Sequence, residues 1–151
     1  SSSAGVLSTQ RRRGYRGTQR LRAWNEEALK DLSGHVIGAA IEVHKNLGPG
    51  LLEGIYQEAL AHEMLTLGLN VSREVDLPVC YKGCLLGKAL RLDLLVEEIL
   101  IIEVKSVERL VPIHGAQLLS YLRLAGKPLG LLLNFNVETL RQGVKRVVNS
   151  I

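Results

Sequence analysis

The chain has 151 residues, of which 46% are apolar and 23% charged, a composition typical of a globular domain with a sizeable core. Its apolar runs fall short of the roughly 20 residues that span a bilayer, and its two cysteines are too few for a disulfide framework or a zinc site. The net charge of +4 does not indicate a basic nucleic-acid clamp, because six of the 19 basic residues lie within residues 1–22 beside no acidic residue, which leaves 13 basic against 15 acidic residues elsewhere.

The N-terminal half is predicted to hold a tail followed by two helices. Residues 1–23 are rich in Ser, Gly, Arg and Gln, and we expect a basic, disordered tail ahead of a single domain at 24–151. A helical apolar stripe predicts a first helix over 26–47, which Gly48-Pro49-Gly50 ends. A second helix is expected over 51–67, with Gly68 at its C-cap position.

Strand patterns dominate the rest of the chain. Strands are predicted over 71–79, over 85–96 with a bend at Gly87, and over 99–105, with turns at 81–83 and at Glu97-Glu98. A helix over 112–125 and strands over 129–135 and 144–148 follow. Because the strands at 99–105 and 129–135 flank a helix of crossover length, we expect them to be parallel within a mixed sheet.

Three charged side chains stand inside or beside these apolar strands: Asp93, Glu103 and Lys105. Burying a charge is costly unless the charge is paired or coordinates a metal. Glu103 and Lys105 are two residues apart and share a strand face, and Asp93 lies on the neighbouring strand. Two carboxylates with water in the open positions suit Mg²⁺. Lys105 would then position or deprotonate a water, or stabilise charge on a phosphate.

This interpretation sets a condition on the turn at Glu97-Glu98. A two-residue turn would pair Val96 with Ile99 and so place Asp93 and Glu103 on opposite faces of the sheet. A shared metal site therefore requires a connection with an odd number of residues, or a bulge.

Two helical pairs and one arginine accompany the three charges. Glu53 and Tyr56 are three residues apart on the second helix, and Gln117 and Tyr121 are four apart on the third, so each pair shares a helix face. A polar helix face with a half-buried tyrosine would explain either pair alone. Arg91 precedes Asp93 by two residues, a spacing that suits a bond to a site carboxylate, a phosphate contact or an ordinary salt bridge.

In its order of motifs, the sequence resembles the PD-(D/E)xK nuclease superfamily, and more closely its small GxxExxY family. The signature stands as Gly50-Leu51-Leu52-Glu53-Gly54-Ile55-Tyr56. It continues with Pro78-Val79, Tyr81-Lys82-Gly83, Arg91-Leu92-Asp93-Leu94-Leu95-Val96, Glu103-Val104-Lys105, Pro112, His114, Gln117, Tyr121, Gly130-Leu131-Leu132-Leu133-Asn134-Phe135 and Lys145-Arg146. The resemblance covers about residues 32–149, and the order and spacing of the short motifs are more specific than any one of them.

The resemblance implies a restriction-endonuclease-like α/β fold with an αβββαβ core and a mixed sheet between helices. It implies Asp93 and Glu103 as metal ligands, Lys105 as the catalytic lysine, and Glu53 as a further acidic residue that binds the metal or orients a ligand. Tyr56, Arg91, Gln117 and Tyr121 would support the site or contact nucleic acid. Leu92 stands where the superfamily's name has a proline.

The function expected on this basis is that of a Mg²⁺- or Mn²⁺-dependent nuclease, a hydrolase that cleaves phosphodiester bonds. Nucleic acid, in the first place DNA, is the expected partner, and homodimer formation is left open. A cytoplasmic protein without membrane attachment is expected. The alternatives are a catalytically silent module that binds nucleic acid or protein, and a metal site that serves structure alone.

Overall fold

The computed structural model describes residues 24–150, and the tail predicted over 1–23 lies outside them. The helices are α1 (Glu26–Leu47), α2 (Glu53–Thr66) and α3 (Pro112–Ala125). The strands are β1 (Val71–Tyr81), β2 (Cys84–Val96), β3 (Leu100–Lys105), β4 (Leu129–Asn134) and β5 (Val144–Val148), with a short 3₁₀ helix at Leu140–Gly143 before β5. The chain divides into two compact units at Asp31/Leu32, and the features below all lie in the second.

The five strands form one mixed sheet in the order β1-β2-β3-β4-β5. Strands β1, β2 and β3 are an antiparallel meander, β4 runs parallel to β3 through the α3 crossover, and β5 returns antiparallel to β4. The predicted mixed sheet, its parallel pair and the restriction-endonuclease-like α/β fold are thus confirmed. Both β1 and β5 are edge strands.

The observed bounds differ from the predicted ones where local turn chemistry decides. Helix α2 begins at Glu53, not at Leu51, because Gly50 has φ +95° and Leu52 is extended. Strand β1 continues to Tyr81 because the turn needs only Lys82 and Gly83, both at positive φ, as two-residue hairpins favour. The β1–β2 register shifts between Pro78 and Cys80, opposite the part of β2 that contains Gly87.

Helix α3 packs on one face of the sheet. Leu118 and Leu122 of α3 form a buried cluster with Leu95, Ile101 and Leu132 of three neighbouring strands. Along β4, Phe135 has the parity opposite to Leu132 and stacks on a residue of α2. The sheet is therefore covered by α3 on one face and by α2 on the other. Among residues 24–150, no helix is long and apolar enough to cross a membrane.

Candidate active site

The β2–β3 connection has three residues, which meets the condition set by the sequence. Glu97 and Glu98 both have positive φ, at 54° and 58°, and the Ile99 N–H donates to the Val96 carbonyl at 3.0 Å. This closes a two-residue turn, yet the ladder pairs Val96 with Leu100. Ile99 is therefore an extra residue that shifts the register of β3 by one.

Asn70, just before β1, holds the strained turn in place. Its N–H donates to the Glu97 carboxylate at 2.7 Å, and its carbonyl accepts the Glu97 N–H at 2.8 Å. Non-glycine residues in the left-handed region cost of order 1–3 kcal/mol each and persist where the surroundings fix them. The two bonds to Asn70 fix Glu97 in this way.

The shifted register places Asp93 opposite Glu103. The last ladder pair between β2 and β3 is Leu94 with Ile102, and the two carboxylates stand one step beyond it on the same face. There the Asp93 carboxylate accepts the Val104 N–H at 2.8 Å, and the Glu103 carboxylate accepts the Asp93 N–H at 3.2 Å. These side-chain bonds take the place of the interrupted ladder.

Burial and mutual repulsion shift the titration of both carboxyl groups. Desolvation by burial raises the pKa of Glu103 to about 7, and the charge of Asp93 adds to the rise. Desolvation likewise raises the pKa of Asp93, against the hydrogen bond from Val104, and the charge of Glu53 raises it further. The pair is thus a cluster of negative charge, only partly offset by Lys105, that a cation would stabilise.

Lys105 lies beside this cluster without engaging it directly. It shares the strand face of Glu103, and its positive charge lowers the pKa of both Asp93 and Glu103. Within residues 24–150 its side chain makes no hydrogen bond or ion pair, so the ammonium group stays available to a ligand.

Ser106 connects the start of α2 to the end of β3. Its N–H donates to the Glu53 carboxylate at 3.3 Å, and its hydroxyl donates to the Leu51 carbonyl at 2.6 Å. Glu53 is therefore held near the Asp93–Glu103 pair, close enough to raise the pKa of both. Ser106 directly follows Lys105, but no pattern in the sequence marks it as a site residue.

Tyr56 is fully buried and serves the loop between α1 and α2. Its hydroxyl donates to the Gly48 carbonyl and accepts the Leu51 N–H at 3.0 Å, while its ring stacks on Phe135 at 4.5 Å between centroids. The tyrosine of the GxxExxY signature thus supports the segment that carries Glu53. The ring of Tyr56 is inaccessible to solvent.

Replacing Tyr56 with Phe tests this supporting function. The change removes one donor and one acceptor from part-buried hydrogen bonds to the Gly48 and Leu51 backbone, and a buried backbone group left unsatisfied costs about 1–3 kcal/mol. We expect a loss of about 2 kcal/mol in the free energy of unfolding, measured by urea denaturation. The matched control is Tyr81→Phe, at an exposed ring in β1, which should change stability by less than about 0.5 kcal/mol. Equal stability of the two variants would contradict the supporting function.

Two further residues interact with Asp93 and were not predicted from the sequence. The buried Gln57 donates from its side-chain amide to the Asp93 carbonyl at 2.8 Å. Glu74 faces Asp93 across the β1–β2 ladder, where its φ of 51° interrupts the pairing, and its charge raises the pKa of Asp93. Gln57 follows the signature tyrosine directly, whereas Glu74 becomes visible only once the β1–β2 register is known.

The remaining predicted residues lie around this centre. Arg91 pairs with Glu74 at 3.7 Å and with Asp76 at 3.4 Å, so it forms an ordinary exposed salt bridge and not a bond to Asp93 or Glu103.

On α3, the exposed Gln117 donates to the hydroxyl of Tyr121 at 2.9 Å. Tyr121 packs against the cluster of Leu95, Ile101 and Leu132, on the sheet face that carries both carboxylates. Gln117 and Tyr121 are thus joined to each other, and neither bonds to the carboxylates within the described part of the chain.

The donor set fits a hard divalent cation that keeps several waters. Asp93 and Glu103 each use one carboxylate oxygen for a backbone N–H, and the other oxygen of each group accepts no hydrogen bond from residues 24–150. Over residues 24–150 no cluster of three or more His, Cys, Asp or Glu side chains could hold a metal. Mg²⁺ commonly binds through one or two carboxylates and retains water, so a two-carboxylate site suits it.

Comparison with known proteins agrees with this geometry. A family model of the PD-(D/E)XK nuclease superfamily matches residues 30–147, which is most of the chain. The chain therefore belongs to the PD-(D/E)XK nuclease superfamily. Members are generally nucleases, which act on nucleic acid and usually use divalent metals. Comparisons with curated proteins and with solved structures gave no match.

Proposed function

We propose that this protein hydrolyses phosphodiester bonds of nucleic acid, in the first place DNA, with Mg²⁺ or Mn²⁺ held by Asp93 and Glu103. The observation that supports the proposal most directly is the convergence of the half-buried Asp93 and the buried Glu103 beside Lys105, whose side chain makes no hydrogen bond or ion pair within residues 24–150. Without a cation the carboxylates repel each other, and desolvation penalises both charges. A site that is electrostatically unfavourable when empty but well ordered by hydrogen bonds is typical of a functional centre.

Each residue has a distinct task in this proposal. Asp93 and Glu103 offer the free oxygens described above, and the bound ion would act as a Lewis acid towards the phosphate and its attacking water. Lys105 stabilises negative charge that develops on the phosphate, because no hydrogen bond or ion pair within the described part of the chain holds its ammonium group. Glu53, tethered to Ser106, adds negative charge at the same centre and is proposed to orient the ion or its water ligands.

We also infer membership of the GxxExxY family within the superfamily. This inference is supported by the structural contacts of two residues of the signature. Tyr56 bonds to the loop that begins the signature, and Glu53 accepts a hydrogen bond from Ser106 at the end of β3. A homodimer and a cytoplasmic location stay predictions. Light scattering on the purified chain tests the first, and imaging of the tagged protein tests the second.

A nuclease assay tests the proposed function. Single-stranded, duplex and branched DNA, and RNA, are incubated with the protein in Mg²⁺, in Mn²⁺ and in EDTA. We expect metal-dependent cleavage that falls about 10²–10³-fold in Asp93→Asn and in Lys105→Met. The matched controls are Asp76→Asn and Lys88→Met, two exposed positions on β1 and β2, which should retain wild-type cleavage.

The outcomes separate the three candidate functions. Wild-type cleavage by Asp93→Asn would refute the proposed site. Nucleic-acid binding without cleavage under any metal condition would identify a binding module. Loss of folding stability on chelation, again without cleavage, would identify a structural metal site.

A further inference from the structure

A groove of about 560 Å³ lies between α3 and the edge strand β5. We call it the α3–β5 groove. Its walls are mainly apolar and include Leu110, Leu119 and Val147, and its only charged lining residues are Lys145 and Arg146. Neither basic side chain forms an ion pair or a side-chain hydrogen bond within residues 24–150. Lys145 lies on the α3 face of β5, and Arg146, the next residue, lies on the opposite face, so Arg146 adds its charge at the sheet edge that borders the groove.

The side chain of Lys145 lies against α3 at Gly115, where the helix has no side chain. A Cβ atom placed on the buried Gly115 would lie 3.1 Å from Lys145 Cε and 3.6 Å from Lys145 Nζ. The aliphatic part of Lys145 thus packs across Gly115, in the first half of α3. The contact holds the ammonium group against the helix and limits the conformations of the side chain.

The strand register connects this groove to the carboxylate site. Glu103 of β3 pairs with Leu132 of β4, and Leu132 pairs with Lys145 of β5. Lys145 therefore stands in the same row and on the same sheet face as Glu103, two strands away. With a strand spacing of about 4.8 Å, their Cα atoms are about 10 Å apart. Leu132, which lies between them, is buried beneath α3, so a strand bound at both positions would pass outside α3 and not along this row.

We propose that the α3–β5 groove binds the sugar-phosphate backbone of the substrate strand beside the cleavage position, with Lys145 and Arg146 as phosphate contacts. The proposal rests on the proposed nuclease function and extends it to substrate binding. Two observations favour a nucleic-acid occupant: the groove contains basic and no acidic lining residues, and Lys145 stands in the row of Glu103, two strands away beyond the buried Leu132. The apolar walls would contact sugars, while phosphate contacts position the strand without reading its sequence.

Binding measurements in EDTA test the groove separately from catalysis. The probes are a fluorescein-labelled 20-nucleotide single-stranded DNA and the matching duplex, followed by fluorescence anisotropy at several salt concentrations. The variant is Lys145→Met with Arg146→Met, which keeps the aliphatic stems and hence the packing over Gly115. Its control is Arg123→Met with Arg141→Met, which removes two exposed charges outside the groove.

We expect weaker binding by the groove variant at low salt, with equal losses for different sequences. The magnitude of the slope of log K against log salt should fall by about 1.8 for the duplex or about 1.4 for the single strand, as expected for two lost phosphate contacts. The control variant should keep the wild-type slope. Gly115→Ala should also weaken binding, because it displaces the Lys145 ammonium without changing the net charge.

The outcomes distinguish this proposal from the nuclease function. If the wild type binds and cleaves, but the groove variant keeps its affinity and salt slope, the groove assignment is wrong and the nuclease function stands. In that case the free edge of β5 would be open to an extended peptide strand. If the wild type neither binds nor cleaves nucleic acid, both proposals are wrong. If the wild type binds without cleaving, and the groove variant has a smaller slope of log K against log salt, the groove assignment is supported and the nuclease function is not.

Discussion

Deleting Ile99 is expected to abolish metal binding and nucleic-acid cleavage, whereas Ile99→Ala should retain both. Ile99 is the one residue that separates a two-residue turn from the observed three-residue connection. Without it, the turn at Glu97 and Glu98 would pair Val96 directly with the residue after the turn. A one-residue slip moves every side chain of β3 to the opposite face.

The deletion should also destabilise the fold strongly. Glu103 and Lys105 would turn towards the α2 face, away from Asp93, and lose the backbone hydrogen bonds that now satisfy the carboxylates. Leaving charges buried and uncompensated costs about 3–5 kcal/mol. Ile99→Ala removes the half-buried side chain but keeps the residue count, so it should cost only about 1 kcal/mol.

Calorimetric titration with Mn²⁺, the nuclease assay and urea denaturation measure these effects. Ile99→Ala is the control for register, because it keeps the residue count of the connection and should therefore keep metal binding. If the deletion variant binds Mn²⁺ like the wild type, the shared face of Asp93 and Glu103 does not depend on this turn. If Ile99→Ala fails as badly as the deletion, the side chain matters and the register does not.

The requirement for this turn shows what a sequence pattern can and cannot determine here. Parity along β3 predicts that Glu103 and Lys105 share a face, because side chains alternate along any strand. The partner strand adds an unknown that parity cannot supply, since the alignment of Asp93 depends on the conformation of Glu97 and Glu98. Two glutamates at positive φ are not a recognisable turn signal, so the sequence yields a condition and not a register.

The residues that the sequence analysis missed have a common physical cause. Gln57, Ser106 and Glu74 act through contacts with backbone groups or charges that are distant in sequence, and any of them would be unremarkable on an isolated helix or strand. Tyr56 was noticed through its spacing to Glu53, yet its buried position follows only from packing on Phe135. The local sequence pattern thus identified the acidic residues of the site, whereas the residues that contact them could be found only from the tertiary structure.

Lys145 in the α3–β5 groove is another residue whose position depends on tertiary structure. Lys145 is 40 or more residues from the acidic motif in the chain, and only the β3–β4–β5 register brings it into the row of Glu103. Its placement also explains how a body with a slight excess of acidic residues could bind a polyanion. Local groups matter more than net charge at short range, because salt screens charges beyond about 8–10 Å.

Replacing Glu103 with Gln should make the metal-free protein more stable at pH 8 while it removes cleavage. Burial and the charge of Asp93 raise the pKa of Glu103 from 4.5 to about 7. Between these values the folded state binds more protons at Glu103 than the unfolded state, so the contribution of Glu103 to stability is greatest below pH 4.5 and is lost as the pH rises to about 7. The contribution of Glu103 to this fall is about 3 kcal/mol.

Urea denaturation in EDTA at pH 5, 6, 7 and 8 measures the difference between wild type and Glu103→Gln. The variant keeps an oxygen that can accept the Asp93 N–H, so it should lose most of the pH dependence without losing the fold. Glu108→Gln, at an exposed position, is the control and should follow the wild-type curve. Mn²⁺ at about 100 times its Kd should restore about 2.7 kcal/mol to the wild type at pH 8 and little to Glu103→Gln. If the wild type and Glu103→Gln have the same pH dependence in EDTA, then the pKa of Glu103 is not raised. In that case the two carboxylates do not repel each other strongly enough to favour cation binding.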